Sequence, residues 1–153
     1  MGTAVAPTQP GSYPPSPLPN QAKGRLRDVF FVQVDFPNVP IAGVQTPGNF
    51  AVDADADFVI TGGAQRVTTT ADRTTVLPDP AVFVALTRSA AGRTLMNLPV
   101  PISALLGTAQ RPARWEAAMY LRANSNLAIT VTSLQAAAVF VQLTFWGYKV
   151  FNT

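Results

Sequence analysis

Three aspartates, Asp53, Asp55 and Asp57, fall within five residues of the stretch AVDADADFVI (51–60). Carboxylates at this spacing can do two kinds of chemistry. They can ligate a hard cation, as in calcium loops that begin D-x-D-x-D, or divide the roles of acid and base. The calcium reading requires Gly at the sixth loop position and a bidentate Glu at the twelfth. Counted from Asp53, those positions are Phe58 and Ala64. In an extended segment the three side chains share one face, and like charges there repel unless they are solvated or paired. Asp53, Asp55 and Asp57 are therefore weak metal candidates. They read first as a strand entrance that is polar up to Asp57 and core-directed from Phe58. Arg side chains of a neighbouring subunit are a possible second partner for them.

The rest of the chain offers little else that could react. It has no His and no Cys, which removes imidazole bases, thiolate nucleophiles, disulfides and nearly every zinc site. Ser and Thr lack a His base. A Ser–Lys pair would need Lys23 or Lys149, and neither has a recognisable context. No G-x-S-x-G, G-x-G-x-x-G or P-loop is present. The expectation is a non-enzyme with no catalytic residue, cofactor or firm metal site.

Composition points to contact with partners. Hydrophobic residues make up 48% of the 153 and charged residues 12%, against about 25% charged in ordinary soluble domains. A surface so poor in charge is hard to keep monomeric. The net charge of +3 comes from nine Arg and two Lys against eight acids, of which only Glu116 is Glu. The basic residues are scattered, so no electrostatic footprint for direct nucleic-acid binding exists. The first residues lack a basic start and an unbroken apolar core, so no secretory signal is expected. No apolar run approaches the roughly 20 residues that span a bilayer.

These residues must be positioned by strands. Residues 1–22 hold no charged side chain and six of the fourteen prolines. Proline fixes φ and removes a donor, so residues 1–24 read as an extended, Pro-rich stretch, either a disordered tail or an arm that lies on a neighbouring subunit. Val5, Tyr13 and Leu18 are its candidate anchors on a neighbour. From residue 25 the pattern is one domain, 25–153. RLRDVFFVQVDF (25–36) is a strand by period and β-branched content, ended by Pro37 and Pro40. Pro47-Gly48-Asn49 is a turn signal, and FVITGG (58–63) reads as a strand closing on a Gly-Gly turn. QRVTTTADRTTV (65–76) turns near Ala71-Asp72, and AVFVALTRSAAGRTLM (81–96) near Ala91-Gly92. Residues 97–117 read as a long loop with a helical turn in PISALLG, Pro101 at its start and Gly107 as its stop. Arg114 and Trp115 in that loop are interface candidates, and Trp115 could equally plug the core. AMYLRA (118–123) and NLAITVTSL (126–134) are strands, with Asn124-Ser125 as a hairpin-type turn. In AVFVQLTFWGYKVF (138–151), Val139, Val141, Leu143 and Phe145 form one face. Phe140, Gln142, Thr144 and Trp146 form the other, and Gly147 marks a bulge or close approach. The fold class is all-β: a jelly roll or β-sandwich of about seven to nine strands with an extended N-terminal arm.

Several pieces in order also carry a resemblance. They are GRTLMNLPVP (92–101), GTAQRP (107–112), NSNLAITVTSL (124–134) and GYK (147–149), with DADF (55–58) upstream. Together they resemble small β-rich virion proteins of tailed bacteriophages. The resemblance implies a capsid decoration or cement protein that binds between major capsid subunits on the outer capsid surface as a dimer or trimer. It implies an extended arm that reaches a neighbour. A tail, collar or fibre-anchoring adaptor of the virion is the second expectation. A carbohydrate-binding module with an exposed aromatic platform is the third.

Overall fold

The computed structural model describes residues 26–89 and 93–151. The expected arm, with Val5, Tyr13 and Leu18, lies outside the described residues, as do Ala91 and Gly92. In chain order the elements are β1 (Arg27–Val39), β2 (Gln45–Ala51), β3 (Ala56–Thr69), β4 (Val82–Arg88), β5 (Arg93–Thr94) and β6 (Val100–Pro101). Then come α1 (Ile102–Leu105), β7 (Gly107–Thr108), β8 (Ala113–Leu121), β9 (Asn126–Ser133) and β10 (Val139–Phe151). The chain is all-β and forms two five-stranded sheets. The first runs β1-β10-β3, with β7 and β8 sharing the far edge of β3; the second runs β2-β9-β4, with β5 and β6 sharing the far edge of β4. All pairings are antiparallel except the short parallel contact of β7 with β3. Three of the ten strands have two residues each, too short for any periodicity to announce them.

The sheets face each other across one core. Alternation along β10 sends Val139, Val141, Leu143 and Phe145 into it, all fully buried, and turns Phe140, Gln142, Thr144 and Trp146 outward. From the second sheet Val84, Leu86, Leu127, Ile129 and Val131 meet them. Each such side chain gains roughly 1.5–3 kcal/mol from leaving water. Phe58 ties the layers together. Its ring meets Phe30 of β1 edge-on at 5.3 Å and Phe50 of β2 at 5.6 Å, a geometry favoured by the ring quadrupole. A helical turn starts after Pro101 and ends before Gly107, as PISALLG suggests, and buries Ile102.

Four turn or loop expectations are corrected. Pro37 does not end β1, which continues to Val39 through a register shift. The strand lies at a sheet edge, where a missing N–H is tolerated. Pro47-Gly48 is no turn but lies inside β2, the opposite sheet's edge strand. A Cβ on Gly48 would stand 2.6 Å from the Phe36 ring, so the glycine admits that ring. Gly62-Gly63 is likewise no turn; β3 runs straight through it. Each glycine opens one face. A Cβ on Gly62 would meet the Trp146 ring at 2.9 Å outside, and one on Gly63 the Leu106 side chain at 2.4 Å inside. Asn124-Ser125 is a tight turn with Asn124 at φ 60°. It joins β8 of one sheet to β9 of the other and so makes no hairpin. At Gly147 the close backbone approach is present, and the register shift beside it leaves Thr61 of β3 as the extra, bulged residue.

These close approaches have measurable consequences. A Cβ on Gly147 would lie 1.7 Å from the Val59 carbonyl oxygen, which is backbone and cannot yield. Gly147→Ala is expected to cost about 3 kcal/mol or more in chemical denaturation, while Gly48→Ala, opposed only by a ring that can turn, costs about 1 kcal/mol. Equal losses would show that the β3–β10 contact is not the tighter of the two.

Candidate interaction surface

The aspartates come first. Asp53 meets Lys149 of its own chain at 2.5 Å. The Lys149 ammonium also lies 4.1 Å from the centroid of the Phe30 ring. Asp57 is buried. Its carboxylate accepts from the Tyr120 hydroxyl and, at 2.8 Å, from the Ala123 N–H. Asp55 is exposed. Asp53 and Asp57 are thus held by different partners, while Asp55 faces outward. Among the described residues no group of three or more acidic side chains is placed to hold a metal ion. The stretch is a strand entrance whose first aspartate closes an ion pair and whose last pins β8 to β3.

Trp115 and Arg114 belong to β8, not to a loop. Their alternation, with Trp115 half-buried between exposed Arg114 and Glu116, has period two and begins directly after Pro112. Trp115 turns inward. Its ring meets Phe145 edge-on at 6.3 Å, and its Nε1–H donates to the Leu105 carbonyl at 3.0 Å. It plugs the core and holds the helical turn. Arg114 turns the other way and pairs in register with Gly62.

That register defines the outer face of the first sheet. One row crosses the four strands as Val29, Tyr148, Val59 and Tyr120; the next as Phe31, Trp146, Gly62 and Arg114. Outer faces of antiparallel sheets are normally polar. Here Val29 is 76% exposed, Phe31 63% and Tyr120 43%. Arg27 lies over the Tyr148 ring at 5.3 Å and borders the patch. The other end of the same face is polar, with Gln33, Asp35, Gln142 and Arg66 on it. The 70–75 turn closes that end: Arg73 covers the Phe140 ring at 4.7 Å, and Arg66 donates to the Arg73 carbonyl. Asp72 shapes the turn by accepting from the Thr74 hydroxyl and from the Thr74 N–H. The Thr74 hydroxyl bond, then that of Thr75, holds its carboxyl well below the usual carboxylate range.

The apolar end is the surface that composition foreshadowed without locating. Its signal lay in the strand alternation. Phe31 shares a face with Gln33 and Asp35, and Trp146 shares one with Gln142 and Thr144. A large aromatic on the polar side of a strand is the informative exception.

Two predictions follow from these contacts. Asp57→Ala is expected to lose about 1–3 kcal/mol, because a buried N–H and a hydroxyl lose their acceptor; Asp53→Ala, at an exposed pair, loses about 1 kcal/mol or less. Denaturant midpoints of the two variants check the order, and an equal loss contradicts it. The depressed Asp72 carboxyl favours the folded state above its unfolded value of about 3.9 and loses that contribution as pH falls further. Asp72→Asn should therefore flatten the acid side of the stability profile, and an unchanged slope would contradict the turn's role. No protein-family model, curated protein or solved structure matches this chain, so the geometry of this surface carries the functional reading.

Proposed function

We propose that the chain is a structural protein of a tailed-bacteriophage virion, a decoration or cement protein without catalytic activity. In this reading it is a jelly roll that binds between major capsid subunits on the outer shell as a dimer or trimer. The single observation that carries the reading is the apolar outer face around Val29, Phe31 and Trp146 in a chain with so little charge. Contiguous exposed apolar surface rimmed by polar residues is the mark of a protein contact.

The jelly roll is supported by the strand couples. β1 pairs β10, β2 pairs β9, β3 pairs β8 and β4 pairs β6, each antiparallel. Such couples arise when one long β-ribbon is rolled into two sheets, a fold used in capsid and lectin domains. The fold alone does not select between those uses; Trp115, half-buried with its ring against Phe145, is not itself an exposed platform for a glycan.

A cement protein stabilises a shell by linkage, because it binds assembled subunits better than free ones. Several modest contacts on one copy multiply into avidity. Here those contacts are the outer face of the first sheet and residues 1–24. Protein lacking residues 1–20 is expected to fold, since the buried core cluster is built from side chains between Phe36 and Phe145, and to lose binding to shells stripped of the native protein. Co-sedimentation checks this. Binding by the truncated chain equal to that of the full chain, or no binding by the full chain, contradicts the reading.

A further inference from the structure

β1 is an open edge of the first sheet, paired on one side with β10. Just before it, the Leu26 carbonyl accepts from the Phe151 N–H opposite. Opposed residues of antiparallel strands alternate between pairs that exchange such bonds and pairs that do not. The register with β10 runs without a shift from Arg27 to Phe36, so the even-numbered residues of β1 bond to β10. Arg27, Val29, Phe31, Gln33 and Asp35 aim their N–H and C=O groups the other way, at the open edge. Among the described residues no strand takes up those groups.

An unpaired edge is a template for another strand, and folds usually blunt it with proline, a bulge or short length. The other edges are blunted in these ways. β2 carries Pro47, β5 and β6 have two residues each, and β8 has a register shift that leaves 115–118 without partners on β3. β1 meets no proline or register shift until Pro37.

We propose that two copies of this chain pair antiparallel through β1, about a two-fold axis at Phe31. In that register the strand is complementary to itself. Arg27 stands opposite Asp35 of the second copy, Val29 opposite Gln33, and Phe31 opposite Phe31, and each contact recurs across the axis. These five residues are exposed on the outer face, where opposed side chains are neighbours. Neither Arg27 nor Asp35 has an ion pair among the described residues. Arg27 lies over the Tyr148 ring, and Asp35 accepts from Gln33 and Gln142 through the same oxygen. On the inner side Phe30 meets Val32 of the second copy. Moving the axis by one residue sets Arg27 against Gln33 or Pro37 instead. The ladder supplies about ten backbone hydrogen bonds and stops at Pro37, which has no N–H to give. The joined sheet carries both apolar outer faces side by side.

This pairing does not rest on the shell assignment. Joined to it, the dimer presents one doubled apolar surface to a capsid contact.

Sedimentation velocity of the full chain and three variants tests the proposal, with far-UV circular dichroism to check that each is folded. The native chain is expected at twice its 16.2 kDa mass in the micromolar range. Arg27→Asp alone and Asp35→Arg alone each weaken dimerisation about tenfold or more, because two attractive pairs become two repulsive ones. The two substitutions together restore it. A native chain that stays monomeric overturns the proposal whatever the variants do. A dimer indifferent to the single reversals, or one that the double variant fails to restore, also overturns it, because the contact then lies elsewhere. No capsid enters the measurement, so its failure and a failure of shell binding are told apart.

Discussion

Where β10 passes β3, the Gly147 backbone lies so close to the Val59 carbonyl that a methyl group there would stand 1.7 Å from the oxygen. The neighbouring Gly62 and Gly63 thin the sheet at the same level. This narrow centre sets the rest. On the inner side it makes room for Leu106 and lets Trp115 reach Phe145, which closes the core at the helical turn. On the outer side it lets the Trp146 ring lie against Gly62, beside Phe31. Three glycines thus place one tryptophan inside the sandwich and another outside it.

The outer tryptophan belongs to a face divided in two. The polar half carries Arg66, Arg73 and Asp72 and is closed by a turn held together by side-chain hydrogen bonds. The apolar half is rimmed by Arg27 and Arg114 and lies next to the strand that the N-terminal residues enter. A free domain with such a patch and so few charges invites self-association. Cover by a partner surface would remove that hazard. The aspartates that first suggested chemistry instead serve this architecture. Asp57 joins β3 to β8 through Tyr120, and Asp53 holds Lys149 at the same end of the sandwich.

Much of the fold was legible because period two is local. The inner face of β10 could be read residue by residue, and so could the strand over 126–134 and the helical turn after Pro101. What misled were residues whose reason lies across the fold. Gly62-Gly63 and Pro47-Gly48 have the composition of turns, yet both sit inside strands. Their glycines face Trp146, Leu106 and Phe36, residues distant in the chain. Trp115 looked like a loop residue because prolines surround it, although Pro112 merely precedes a strand. The outer aromatic face needed the β1–β10 register, which no local pattern supplies. Arg114 was proposed from its neighbourhood in sequence; the Val29, Phe31 and Trp146 face required their alignment across the sheet.

The central claim is that this aromatic face and the segment before it engage a virion shell. Electron cryomicroscopy of the intact particle tests it most directly, by locating this sandwich and counting its copies. The account predicts density on the outer capsid surface between major capsid subunits, in copy numbers on the order of hundreds as icosahedral symmetry demands, with the Val29–Phe31–Trp146 face turned toward a capsid contact. A ring of about a dozen copies at the tail or collar, or a particle without this chain, would contradict it.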